Sequence, residues 1–468
     1  MRFGFWVKAA ALAGLVALGD WLFGDDPAGT MLGLFALGWL AAVVVARPDV
    51  RRSRLALGAV AAALVYAAML VDDPGPLAWL MFWAALAMAA LLPRVTRFDD
   101  AWRWAWRLGL HAASSAVVPL RDLRALARPR RAGRMPAGAL AGVLALPLVG
   151  GLVFVALFAG ANPLIGAALA DIRLPSPGRL LFWTVLAALA WPSMRPHAAV
   201  LRWAARLPDP EPRLPGTSLP SVLIALALFN ALFAVQNLLD IAFLWSGAAL
   251  PAGMSQTEYV HRGAYPLIVT ALLAGAMALA MLRPGSESAR HPLARRLVTL
   301  WVAQNVVLVA SSALRTIDYI ATSMLTAWRI AALAWMALVA LGLVLIGWRI
   351  LRDKSARWLV NTNAAAALAV LTAAGAVDLG AVAAWWNVRA ADVRGIDLEY
   401  LHETGDGALL PLVTLEARVR DPELRARVHG IRMDIQCSLA GRQAQWRAWT
   451  PRGARRLAAA PPVACGRA

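Results

Sequence analysis

The residues best placed to do chemistry are polar and ionisable groups inside long apolar runs, where they are costly in lipid and usually face a bundle interior or a watery cavity. Asn230, Gln236, Asn237 and Asp240 lie in one such run, 218–240, whose apolar character continues to Trp245. At helical pitch they share an arc of about 120°. Gln304, Asn305, Ser311, Ser312, Arg315, Asp318 and Tyr319 form a second stripe, about 140° wide. Stripes on helices 218–245 and 296–319 could meet and line a path for a ligand or ion. The plainer reading is hydrogen bonding between helices, worth about 0.6 kcal/mol per contact. Arg315 and Asp318 stand three residues apart, the spacing of an ion pair on one helix. Asp20 and Asp378 fall near the ends of apolar runs and read as solvated.

A second constellation is Glu258, Tyr259, His261 and Arg262, in a segment that reads as a loop leading into an apolar run. His261 could serve as a proton-linked switch. The plainer reading is a capped helix start anchored at the membrane interface by Tyr259 and Tyr265. The chain has no phosphate-binding Gly-x-x-x-x-Gly-Lys loop, no Gly-x-Gly-x-x-Gly, no His-Glu-x-x-His and no Cys-x-x-Cys. Its six histidines, at 111, 197, 261, 291, 402 and 429, are scattered. No metal site and no cofactor is expected, and an ATP-driven pump is disfavoured. Trp102, Trp104 and Trp106 alternate with Arg103 and Arg107, which reads as an interfacial helix over about 95–134. Base stacking would be the sharper reading, but tryptophan belts at membrane surfaces are routine, and no nucleic-acid partner is expected.

The elements that carry these residues follow from composition. Of 468 residues 60% are hydrophobic and 16% charged, against roughly 45–50% and 25% in soluble domains. Mean hydropathy is +0.61. These values exclude a disordered chain and disfavour a soluble one. Apolar runs at 7–23, 29–46, 54–71, 77–92, 137–160, 179–194, 218–240, 264–282, 296–314, 327–348 and 358–378 give about eleven transmembrane helices in an all-α, polytopic domain over 1–386. The first run lacks a small-residue cleavage site and reads as a retained helix. The net charge is +19, and only Lys8 and Lys354 of the 46 basic residues are lysine. Alternate loops hold 28 basic residues against five in the other set. That asymmetry puts the N-terminus in the cytoplasm and, with an odd span count, the C-terminus in the periplasm of a bacterial inner membrane.

The region 387–468 differs, with 13 arginines and nine acids. It reads as a small, mainly helical extracytoplasmic unit, with short helices at 413–420 and 422–429 and an amphipathic segment at 443–449. Cys437 and Cys465 could pair there, since a disulfide persists in an oxidising compartment. A short echo, Ala234–Leu239 against Val302–Val307, repeats a Gln-Asn pair but is too short to establish a repeat.

The segment EYVHRGAYPLIVTALL, 258–273, resembles the signature of a bacterial membrane family, the domain-of-unknown-function 4173 group, which is related to the 4153 group. The segments 229–245, 301–346 and 385–412 resemble its neighbouring helices and post-membrane segment in the same order. The chain departs at Ser323–Thr326 and at Glu403–Gly405. The resemblance implies an inner-membrane location and carries no catalytic residue. The function expected first is a non-catalytic sensory, scaffolding or regulatory envelope component, with the lipid bilayer around it and protein partners reached through the C-terminal region. A secondary transporter or channel comes second, weakened by the lack of a matching pair of Gly/Pro-broken helices. An enzyme modifying a lipid-linked substrate comes third, with Glu258 and His261 its best acid and base.

Overall fold

The structure, a computed structural model, describes residues 2–23, 29–95, 98–127, 137–162, 175–206, 218–242, 256–282, 286–390 and 395–465. All regular structure among them is helical. In chain order the helices are α1 (Arg2–Leu22), α2 (Met31–Ala46), α3 (Pro48–Arg52), α4 (Arg54–Asp72), α5 (Pro76–Leu91), α6 (Ala101–Ala127) and α7 (Ala137–Ala161). There follow α8 (Pro177–Met194), α9 (Ala198–Ala205), α10 (Leu219–Asp240), α11 (Gln256–Met281), α12 (Glu287–Arg290) and α13 (Pro292–Ser323). The last are α14 (Ala327–Leu351), α15 (Ala356–Ala376), α16 (Leu379–Ala390), α17 (Leu398–Thr404), α18 (Leu409–Arg418), α19 (Pro422–Ala444) and α20 (Pro451–Ala459).

Local chemistry sets the boundaries. Proline occupies the first turn of α5, α8, α10, α13, α19 and α20, where its missing N–H costs nothing. Ser53, Ser176, Thr326 and Ser355 accept the orphan N–H groups at the starts of α4, α8, α14 and α15. Each of the eleven apolar runs coincides with a helix. Among the described residues seven helices are long and apolar enough to cross a membrane: Gly4–Leu22, Arg54–Asp72, Pro76–Arg94, Leu219–Asp240, Pro292–Ala321, Ala327–Leu351 and Ala356–Ala376. The apolar parts of α2, α7 and α11 are shorter, and α8 has 18 residues.

Three apolar cores organise the chain. The first joins α1, α2, α4, α5, α6 and α8, with Phe35, Trp39 and Phe82 at its centre. The second joins α10, α11, α13 and α14 around Trp301, which packs on Phe229 and Phe233. Between them α15 meets α4 through Tyr66 Oη and Thr372 Oγ1, 2.9 Å apart, and α6 through Asn361, which accepts from Ala101 N at 2.8 Å. The third core runs from Ala384 on α16 to Ala460 and unites the C-terminal helices. Cys437 on α19 is disulfide-bonded to Cys465, with Cα atoms 5.5 Å apart.

Several sequence expectations change here. The stretch 258–266 is not a loop but the first turns of α11. The side chains of Glu258, Tyr259, His261 and Arg262 lie outside the described residues, as do residues 96–97 and 128–134 of the interfacial segment. The second tail helix reaches Ala444, far beyond 429, and the rest of the amphipathic segment, 445–449, turns away from it.

Close backbone approach fixes two junctions. A Cβ on Gly33 would lie 2.4 Å from Val71 N, where α2 crosses α4. A Cβ on Gly29 would lie 2.4 Å from the carbonyl carbon of Ala448, where the C-terminal region meets the entry to α2. Gly33→Ala is expected to destabilise the protein by about 1–3 kcal/mol through overpacking. Gly58→Ala on α4, which faces open space, serves as the control. Thermal unfolding of the purified full chain checks this, and equal midpoints for the two variants would contradict it.

Candidate functional site

The two polar stripes do face each other. Contacts pair 230 with 297 and 304, 237 with 304, and 240 with 315, so α10 and α13 run parallel and in register. Asn230 Nδ2 donates to Leu226 O at 2.7 Å and across the interface to Leu297 O at 3.0 Å. Gln304 Nε2 donates to Asn230 Oδ1 at 3.2 Å, and Asn237 Nδ2 donates to Gln304 O at 3.1 Å. Two Gln-Asn pairs, 236–237 and 304–305, thereby sit at nearly one level. Asn305 Nδ2 turns back to Trp301 O at 2.8 Å.

The charged end of the seam differs from the local rule. Arg315 bonds Asp240 on the facing helix, and their side chains are 6% and 3% exposed. Gln236 Nε2 donates to the same Asp240 oxygen at 3.0 Å. Asp318 faces outward, so the expected i,i+3 pair with Arg315 does not form. A buried guanidinium gains more from a buried carboxylate across the interface than from an exposed one on its own helix. Ser311 and Ser312 are buried, and Ser312 donates back to Leu308 O at 3.0 Å. Several buried acceptors of the seam have no hydrogen-bond partner among the described residues: Asp240 Oδ2, Asn237 Oδ1, Gln304 Oε1 and Asn305 Oδ1.

A second arrangement involves the two acids expected to be solvated, and both are paired. Asp20 on α1 accepts from Arg179 Nε at 2.6 Å and from Trp183 Nε1 at 2.8 Å, which ties α1 to α8. Asp378 caps α16 by accepting from Ala381 N at 2.9 Å and also bonds Arg456 on α20. Nearby, Arg452 Nη1 meets Asp73 at 2.6 Å, Arg452 Nε meets Asp72 at 3.1 Å, and Arg455 Nη2 meets Asp72 at 2.6 Å. Three tail arginines are clamped on three acids at the ends of α4 and α15. Burial pushes Asp378 up, but the Ala381 N–H and Arg456 outweigh it and hold its carboxyl below the ordinary range. Burial pushes Asp73 up, and the neighbouring Asp378 and Asp72 carboxylates add to this against the pull of Arg452. Backbone bonds complete the contact, from Gly29 N to Arg447 O at 2.8 Å and from Thr30 N to Trp449 O at 2.9 Å.

Sequence reasoning missed this clamp, because its partners stand far apart in the chain, 78 residues for Arg456 and Asp378 and 379–383 for the other pairs. It also missed a buried basic network on the opposite side of the first core. Arg47, about 1% exposed, donates to Ala90 O at 2.6 Å, to Ser193 O at 3.2 Å and to Asp49 at 2.5 Å. Arg107 makes a two-pronged pair with Asp99, 2.6 Å on each arm. Burial, with Arg47 nearby, lowers His111 to about 4, so its ring is neutral. In the sequence Arg47 signals only loop charge, which reads as topology, and Arg107 reads only as part of the interfacial Trp–Arg alternation. Among the described residues, no group of three or more His, Cys, Asp or Glu side chains is placed to hold a metal ion.

Apolar helices of this number and length define a multi-pass membrane protein. The chain belongs to the family described as domain of unknown function (DUF4153), whose model matches residues 58–415. That match covers the polar seam, Asp72, Asp73 and Asp378, but not the arginines of α20. No curated protein and no solved structure matches the chain.

The seam yields a sign-defined expectation. Arg315→Gln leaves Asp240 buried without its charge partner and should destabilise the fold by about 3–5 kcal/mol. Combining it with Asp240→Asn should return most of that loss. Equilibrium unfolding of the single and double variants measures the coupling. Additive losses would show that the pair is not an energetic unit.

Proposed function

We propose that the chain is a non-catalytic sensory or regulatory component of the bacterial inner membrane. In this reading it has eleven spans, a cytoplasmic N-terminus and a periplasmic C-terminal region that contacts envelope partners. Kinship with the 4173 group, read from 258–273, belongs to the same proposal. The observation that carries it is the clamp of Arg452, Arg455 and Arg456 on Asp72, Asp73 and Asp378. A folded, disulfide-stapled unit bonded to span ends is placed to pass a partner's binding into the bundle. The charge asymmetry of the loops supports the orientation. Direct hydrogen bonds across the seam, from Asn230, Gln304, Asn237 and Arg315, favour a packed interface over an open channel.

A second reading, transport along the seam, is favoured by one observation: the partnerless acceptors at Asn237, Asp240, Gln304 and Asn305. Such oxygens suit water or a small cation, and buried acceptors left without donors are costly. Glu258 and His261 remain the acid and base that a lipid-linked-substrate enzyme would use.

One labelling series tests orientation and path together. In a Cys437→Ser/Cys465→Ser background, single cysteines replace Asp73, Ala459, Arg51, Gln236 and Gln304. Intact cells then meet a membrane-impermeant thiol reagent. Labelling at 73 and 459 but not at 51 is expected, and the reverse would overturn the orientation. Protection at 236 and 304 is expected of a packed seam. Their labelling, beyond lipid-exposed controls, would replace the regulatory reading with transport.

A further inference from the structure

On the side of the first core opposite the tail, a cavity of about 390 Å³ opens between the end of α5, α6, the end of α8 and the start of α9. That volume lies within the roughly 300–1,000 Å³ of ordinary ligand pockets. Its floor is the buried pair Val118 and Pro196, and its walls carry Arg94, Arg121, Arg195 and His197 against a single acid, Asp122. Asp122 is already committed, accepting from Trp191 Nε1 at 2.8 Å and lying 3.4 Å from Arg195 Nη1. The positive charge of the walls therefore exceeds its counter-charge among the described residues.

The walls are held in place by the backbone. Arg94 Nη1 donates to Pro196 O at 2.5 Å, so its guanidinium is pinned across the connection between α8 and α9. His197 Nδ1 faces the Ala199 N–H at 3.2 Å, capping α9, while its Nε2 lies 2.6 Å from Arg121 Nη1. A neutral imidazole has one lone pair on its ring nitrogens. If Nδ1 accepts from Ala199, Nε2 bears hydrogen and meets a guanidinium donor head-on. Burial, then Arg121, holds His197 below the ordinary histidine range, which keeps the ring neutral. Two donors facing each other lack an acceptor, and an oxyanion that drew Arg121 off the ring would accept from both.

The surroundings are amphiphilic. The helices that line the cavity also expose Val117 and Leu120 on α6 and Trp203 on α9, the last 65% accessible. Apolar side chains and a tryptophan beside clustered arginines are the composition of a membrane-interface site for anionic headgroups. We propose that this cavity binds a phosphate group, held by Arg121, Arg195 and His197 with Arg94 behind them. The phosphate of an anionic lipid headgroup and free inorganic phosphate share this chemistry, and the exposed apolar rim favours the lipid.

Two arms on the purified, delipidated full chain separate the sources. In the first, retention of phosphatidylglycerol and of phosphatidylcholine is counted by native mass spectrometry. In the second, sodium phosphate is titrated against sodium chloride at equal ionic strength while thermal unfolding is followed. The site variants are Arg121→Gln and Arg121→Gln/Arg195→Gln, and the control Arg51→Gln/Arg52→Gln removes the same charge from exposed positions. The wild type should prefer phosphatidylglycerol, and the double site variant should lose that preference at least about tenfold, the scale of one charge-assisted hydrogen bond. The control should keep it. Site-dependent stabilisation in the phosphate arm alone would assign the cavity to free phosphate. Equal behaviour of wild type, site variants and control in both arms would overturn the proposal. Arg121 lies on the exposed rim, so its single variant remains informative if the double variant fails to fold.

Discussion

A guanidinium removed from water must be matched group for group, and this fold is arranged around that requirement. Nearly all its basic residues are arginines, whose side chains stay charged at any accessible pH. Where they enter the apolar cores, each finds a carboxylate, a carbonyl or both. Arg47 takes two carbonyls and Asp49. Arg315 takes Asp240. Arg432, buried in the third core, takes Glu416 at 2.5 Å and Gln436 at 2.7 Å. The helices are positioned as much by these matches as by apolar packing, because removing one partner costs several times what a surface ion pair is worth.

The same constraint divides the molecule into two faces. Acids at the ends of α4 and α15 gather the arginines of α20, and the C-terminal region lies there. The other face keeps an excess of arginine around the cavity between α6 and α8. The disulfide between α19 and the segment after α20 closes the tail's own fold. Such a link is worth about 3–4 kcal/mol by loop-closure entropy, a substantial share for a unit this small. The tail is thus a folded unit bonded to the bundle rather than a free appendage.

Much of this was legible in the sequence. Each of the eleven apolar runs coincides with a helix, because lipid and protein interior both exclude unpaired backbone. Helical pitch alone gathers Asn230, Gln236, Asn237 and Asp240 on one side, and likewise Gln304, Asn305 and Arg315. Pairing was less legible. The i,i+3 rule gives Arg315 to Asp318, yet the rotation of α13 turns Asp318 outward and presents Arg315 to a helix 75 residues away. Asp20 and Asp378 read as solvated because their partners, Arg179 and Arg456, come from elsewhere in the chain. Depth and rotation are set by packing, and no local spacing rule carries them.

The C-terminal unit and the membrane bundle are energetically one body through the arginine clamp. Hydrogen–deuterium exchange on the full chain in lipid nanodiscs measures this most directly, comparing the wild type with Arg452→Gln/Arg456→Gln. Faster exchange is expected both in α18–α20 and at the C-terminal turns of α4 and α15, because local opening spreads through a shared cooperative unit. Faster exchange confined to α20, with α4 and α15 unchanged, would contradict it and leave the tail a passive attachment.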